Sequence, residues 1–287
     1  MSIRFWHASI AGIALIFLQS GAVRAQEIEY PHAYGDSITG AFEGWYQNPD
    51  GSATFLVGYY NRNLKEELDI PIGPNNHIDP GGPDQGQPTH FYPARQWGLF
   101  TIRVPKDFGD KKLTWTIVAN GKSTTIPLVE NPDWLIQPMI DALNNTPPVL
   151  SFQPFSEGGP TTQGPNGLVI SKTAKVGQPP TLTAYGADDG VSSPGRAPEK
   201  GPPFSVRWTL YRGPAAVKFA EARPKVEKTE DKMPTKAIFT GKTTTTATFS
   251  VPGDYVLHLI VNDVSGDGGG GFQCCWTSGK VNVTVTP

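Results

Sequence analysis

Beyond residue 37, apolar and polar side chains alternate in short runs that break at Gly, Pro, Asn or Asp. A period of two marks a strand with one face buried. Residues 52–60 (SATFLVGYY) are rich in aromatic and branched side chains and follow Asn48-Pro49-Asp50-Gly51, which together read as a hairpin. In residues 67–72, Leu68, Ile70 and Ile72 share a face. Residues 97–104 (WGLFTIRV) predict another strand, and residues 112–118 alternate up to the tight turn Asn120-Gly121, after which 123–129 return as their partner. These runs are enough for a small sandwich.

Residues 134–143 (WLIQPMIDAL) predict one short helix, weakened by Pro138. The next stretch, 144–167, has the Pro, Gly, Thr and Gln content of a linker, which puts a domain boundary near Pro147. Strand patterns resume at 168–176 and 180–187. In residues 204–211 (FSVRWTLY), Phe204, Val206, Trp208 and Leu210 face one way. Residues 243–251 form a Thr-rich strand, and 253–263 carry the clearest alternation, with Tyr255, Leu257, Leu259 and Val261 on one face. Residues 280–286 close the pattern, and 220–236, with both charge signs and Pro, read as a solvated loop. The prediction is an all-β protein of two β-sandwich domains in tandem, 26–146 and 147–287.

Composition sharpens this picture at the N-terminus. Arg4, the apolar run 10–18 and the small residues Val23 and Ala25 before Gln26 predict a cleaved signal peptide over 1–25. The run falls short of the ~20 residues of a spanning helix, so no membrane span is expected after cleavage and the location is periplasmic or secreted. A net charge of −2 argues against nucleic acid as a partner. Many Gly and Pro, 32 and 28 of 287 residues, suit short strands and turns. The two cysteines, Cys274 and Cys275, are adjacent. In an exported chain they are candidates for a vicinal disulfide, which closes only where the strand is broken, or for one buried and one exposed thiol, or for a bridge to another chain.

The segments 180–184 (PTLTA), 206–214 (VRWTLYRGP) and 246–263 (TATFSVPGDYVLHLIVND) carry a resemblance. They look like a PKD-like domain, an Ig-like β-sandwich of exported bacterial proteins, over residues 147–287. The Gly-x-Tyr-x-Leu-x-Leu-x-Val-x-Asp strand is its most specific part. The chain departs from the family where Trp208 opens Trp-Thr-Leu-Tyr-Arg-Gly in place of Trp-Asp-Phe-Gly-Asp-Gly. The resemblance implies a spacer or adhesive module rather than a catalyst.

Candidate chemistry falls in three places. Gly35-Asp36-Ser37 resembles the nucleophile block of GDS-type serine esterases, but the polar, Pro-containing residues before it cannot be the central strand that family needs. Asp254 and His258 are one residue too far apart for its Asp-x-x-His pair, and His258 lies inside a strand. The long polar segment 73–96 holds His77, Asp79, Asp84, Gln87, His90 and Arg95, with Trp97 just beyond it. A segment of that length is functional, disordered or a cover for a sheet edge. Its aromatic, amide and Arg groups suit a carbohydrate or protein contact, and its His and Asp could hold a metal if they converge. In the second half, Asp188, Asp189, Asp263 and Asp267 sit near predicted strand ends, where calcium could bridge them. The alternative is that they are turn residues. The reading is an exported, non-catalytic binding or structural module with an extracellular or periplasmic protein or polysaccharide as partner, and with no cofactor except possible calcium. The rival is a hydrolase using Ser37 or a metal-dependent site on the His77/His90 loop.

Overall fold

A computed structural model describes residues 32–141, 144–191, 201–231, 236–263 and 274–287. The predicted signal peptide, Asp267 and the glycines at 268–271 lie outside the described residues. The described residues belong to one compact unit. No helix among the described residues is long and apolar enough to cross a membrane.

The chain is all-β. Its first half contributes β1 (Ile38–Gln47), β2 (Ala53–Asn61), β3 (Leu68–Asp69), β4 (Asn76–Asp79), β5 (His90–Phe91), β6 (Ala94–Val104), β7 (Lys112–Ala119) and β8 (Lys122–Val129). These pair as β1-β2-β6 and β4-β7-β8, with β3-β5 as a short ribbon. The second half contributes β9 (Val149–Ser151), β10 (Thr161–Thr162), β11 (Leu168–Lys175), β12 (Thr181–Asp188), β13 (Phe204–Arg212), β14 (Val217–Phe219), β15 (Glu227–Lys228), β16 (Phe239–Phe249), β17 (Gly253–Asp263) and β18 (Trp276–Thr286). One sheet runs β10-β9-β12-β16-β14, with β15 also on β16, and the other runs β11-β18-β17-β13. All pairs in this half are antiparallel except β11 with β18, which run parallel.

The alternation read from the sequence sets the two cores. Phe55, Val57, Tyr59, Ile78, Phe100, Trp115 and Ile117 pack together in the first half. Leu182, Trp208, Phe249, Tyr255, Leu257, Leu259 and Val281 do so in the second. Burying each such side chain contributes about 1.5–3 kcal/mol. Three sequence expectations are corrected. Residues 134–141 form no helix; a 3-10 turn at Pro132–Trp134 leads into an extended strap, in which Leu135 bridges Trp45 and the Ile136 amide donates to the Trp45 carbonyl at 2.9 Å. Pro138 has no amide for a helix and suits this path. The linker-like stretch 144–167 is built into the second sandwich, since β9 and β10 extend its sheet and Leu150 lies in its core. The polar segment 73–96 contains β4 and β5 rather than running as one open loop.

The first sheet bends around a buried charge. Glu43 falls where the β1–β2 register slips, and Gly58 falls where β2–β6 slips. The Glu43 carboxylate accepts from Arg95 Nη2 at 2.8 Å and from the Gly98 amide at 2.7 Å. A Cβ at position 58 would stand 2.2 Å from Glu43 Oε1, so the bulge that receives the carboxylate requires glycine there. Burial pushes the Glu43 carboxyl up to about 7, even with the Arg95 guanidinium beside it. Glu43→Ala orphans the Gly98 amide and one edge of the partly exposed Arg95, and should cost about 1–3 kcal/mol in urea unfolding. A loss below about 1 kcal/mol, the scale of an exposed pair, would show that the bulge does not depend on this carboxylate.

Candidate functional site

The seven candidate residues of the first half do not converge. His77, on β4, pairs with the largely exposed Asp79 through Nε2 to Oδ2 at 3.4 Å. His90, on β5 and buried, stands opposite Asp69 in the β3–β5 ribbon. Its Nδ1 lies 2.7 Å from Asp69 Oδ1 and its Nε2 lies 3.2 Å from Glu67 Oε2. Both ring nitrogens of His90 are thus directed at carboxylates. Arg95 binds Glu43 and the carbonyls of Tyr59 and Gln96, and its guanidinium stacks on Trp97 at 4.0 Å. Among the described residues no three His, Cys, Asp or Glu side chains form a metal cluster.

Asp84 and Gln87 meet the second sandwich instead. On β13 the residues Phe204, Val206, Trp208 and Leu210 face their own core, so Arg207, Thr209 and Tyr211 project from the opposite face. That face lies against the first half. Tyr211 is buried within the first half's core cluster, and its hydroxyl donates to the Gly86 carbonyl. A register slip after Leu210 re-aims Arg212, whose guanidinium grips Asp84 with two bonds of 2.9 and 2.8 Å. It also donates to the Gln87 carbonyl at 2.9 and 2.5 Å. The Arg212 guanidinium holds the Asp84 carboxyl below its usual range. Thr89 donates its amide to the Tyr211 carbonyl at 3.1 Å, the Tyr92 hydroxyl accepts from the Leu210 amide at 3.0 Å, and Arg207 reaches Gln96 Oε1 at 2.8 Å.

The same contact closes over β17 and β18. His258 is fully buried, and both its ring nitrogens lack a hydrogen-bond partner among the described residues. Burial first, then Lys280 and Arg207, hold its pKa well below the ordinary value. Lys280, across the strand pair from His258, sits 4.0 Å over the Tyr211 ring. Trp276 packs on Gly98 so closely that a Cβ there would lie 2.1 Å from its ring. Gly98 also has φ +49°, a second reason for glycine.

At the far end of the second sandwich, Asp188 and Asp263 extend the inward-facing rows of β12 and β17, and both are buried. Asn145 Nδ2 donates to Asp263 Oδ2 at 2.6 Å. Asp188 Oδ1 accepts from the Gly190 amide at 2.8 Å, and Asp189 accepts from the Thr146 hydroxyl at 2.7 Å and from the Val191 amide at 2.9 Å. Asp188 is thus buried near a second carboxylate, and Asp189 is half-buried beside it. Cys274 and Cys275 form the vicinal disulfide and are buried, with sulfurs 3.9 and 3.5 Å from the Asn145 carbonyl.

Ser37 is nearly buried at the entry to β1. Its amide donates to Asp36 Oδ1 at 2.6 Å, and that carboxylate also takes Lys122 Nζ at 2.8 Å. Among the described residues no histidine ring bonds Ser37 or Asp36. Sequence reasoning missed Tyr211, Arg212, Gln96, Glu43 and Asn145. Only Tyr211 left a signal, an aromatic residue out of phase with the β13 alternation.

No family model matches the chain, and no curated protein does. Among solved structures it is similar to a protein of unknown function from Porphyromonas gingivalis W83, at 9% identity over 87% of this chain and 100% of that one, with a TM-score of 0.24. A second is the zebrafish RET cadherin-like domains 1 to 4, at 14% identity over 78% of this chain and 46% of that one, with a TM-score of 0.25. A third is CfaE, the adhesive subunit of the CFA/I fimbria of enterotoxigenic Escherichia coli, at 8% identity over 90% of this chain and 82% of that one, with a TM-score of 0.24. Likeness at this level carries no weight for function.

Two outcomes are expected. Tyr211→Ala should cost about 3–5 kcal/mol, as for other buried aromatics, and should speed amide exchange in β5 and β6 as well as in β13. Faster exchange confined to the second sandwich would remove Tyr211 from the first core. The other concerns pH. Burial pushes the Asp188 carboxyl up to about 7 from an ordinary 3.8, with Asp263 and Asp189 adding repulsion. A carboxyl raised on folding contributes its stability fully below the unfolded value and loses it as pH rises through the folded one. Glu43 acts in the same sense and His258 in the opposite one, so the readout is a difference. The stability of the wild type minus that of Asp188→Asn should fall as pH rises from about 4 to about 7; a flat difference would show that Asp188 ionises as it does in the unfolded chain.

Proposed function

We propose that the chain is an exported, non-catalytic structural or binding module. Its two sandwiches act as one rigid body in contact with a protein or polysaccharide outside the cytoplasm. One observation carries this reading. Much of the polar chemistry of residues 84–96, which the sequence offers as a ligand surface, holds the second sandwich through Asp84, Gly86, Gln87, Tyr92 and Gln96. A fixed pose between the halves suits a spacer or a presenting platform. The turn at Ser37 supports it too, because its neighbouring carboxylate faces Lys122 rather than orienting a histidine.

The test is paired. Purified mature chain should give no turnover of p-nitrophenyl acetate above that of the Ser37→Ala and His90→Ala variants. Its melting temperature should rise with one member of a polysaccharide panel, or the chain should retain a defined exported protein in a pull-down. Ester turnover that disappears in Ser37→Ala or in His90→Ala would replace this reading with the hydrolase.

A further inference from the structure

The buried pole of the second sandwich carries more acceptor oxygens than the described chain satisfies. Asp188 and Asp263 enter the space between the two sheets from opposite sides, at the same end, on inward-facing positions of β12 and β17. Each is 3% exposed. Asp188 Oδ1 has its amide donor from Gly190, but Asp188 Oδ2 is buried with no partner among the described residues. Asn145 is fully buried, and its amide lies against Asp263 through the 2.6 Å bond from Nδ2. Its own oxygen, Oδ1, is also buried with no partner. Two orphaned acceptors of different residue types in one buried pole call for a donor or a cation, since an unpaired buried polar atom costs about 1–3 kcal/mol and more where charged.

We infer that the Asp188–Asp263–Asn145 pole is a divalent-cation site of the calcium type. Calcium takes carboxylate, amide-carbonyl and water oxygens in a flexible shell of about 6–8. Two carboxylates and one amide oxygen supply an anionic core, and water completes the rest. A cavity of about 660 Å³ opens beside the pole, lined among others by Asn144, Thr146, Val149, Ala187, Asp189 and Lys236. Asp189 faces that cavity with its carboxylate already on Thr146 and Val191, so it adds negative potential at the mouth rather than a ligand. Two carboxylate ligands among the described residues place the affinity with extracellular calcium modules, on the order of 10⁻⁴–10⁻³ M. The inference is independent of the proposed function, since a calcium-stapled sandwich serves a spacer and a binder alike.

The experiment is thermal melting of the mature chain in EDTA, in millimolar calcium chloride, and in sodium chloride of equal ionic strength. Calcium should raise the melting temperature by several degrees over the sodium control, since a ligand specific to the folded state stabilises it by mass action. The rise should persist in Asp254→Asn, at the opposite end of β17, and vanish in Asp188→Asn. Equilibrium dialysis of the wild type should count one calcium per chain, a readout that stands even where Asp188→Asn does not fold. No rise, a rise matched by sodium, a rise retained in Asp188→Asn, or no bound calcium would each overturn the site.

Discussion

Arg212 closes a two-pronged bond on Asp84 immediately after Tyr211 enters the core of the other half. Much else in the molecule follows from this docking of β13. A sandwich sheet ordinarily keeps one face in water. Here β13, β17 and β18 are covered on both faces around Tyr211, His258 and Lys280, which is why His258 lies in full burial and why Lys280 rests against an aromatic ring. Burial pushes the Lys280 ammonium down to about 8. The two sandwiches thus share a layer of side chains over that part of the sheet, while Ser205, Asn282 and Thr284 on the same strands stay exposed.

A second line of contacts runs from the first sheet to the distal pole. Glu43 fixes the Gly98 amide, Gly98 admits the Trp276 ring, and Trp276 follows the buried Cys274–Cys275 disulfide. The disulfide touches the Asn145 carbonyl, and Asn145 bonds Asp263. Every member is buried, small or hydrogen-bonded, so a change at one is felt by its neighbours through packing, as close-packed interiors require. This continuity is structural; coupling along it would need both ends to bias a two-state element.

The strands were legible because period-two alternation is local. Residues 112–118, 204–210 and 253–263 read correctly for that reason, and the all-β class with them. Contacts between halves were not legible, because a pattern of exposed polar residues looks the same whether it faces water or another domain. Asp84 and Gln87 were singled out as ligand groups and hold Arg212 instead. His258 alternates with the core residues Leu257 and Leu259 of its strand, and its burial comes with Tyr211, whose ring centre lies 5.7 Å away. The strap at 134–141 misled through its apolar content, which suggested a helix although Pro138 and the neighbouring β1 favour an extended path. The linker-like composition at 144–167 hid β9 because three residues are too few to show a period. Of the distal pole, both inward carboxylates were visible as strand-end aspartates, while Asn145 had no signal at all.

The parallel pairing of β11 with β18 has a mechanical consequence. Leu168 stands opposite Gly279 and Lys175 opposite Thr286, so the two strands run side by side in the same sense for eight paired positions. A tension that draws Leu168 backwards and Thr286 forwards pulls the ladder along its length. The hydrogen bonds then share the load in shear rather than opening one after another as in a peeled hairpin. Rupture under such a load is set by the unfolding barrier and not by equilibrium stability, so this edge of the second sandwich resists stretching between those two points more than its modest length suggests.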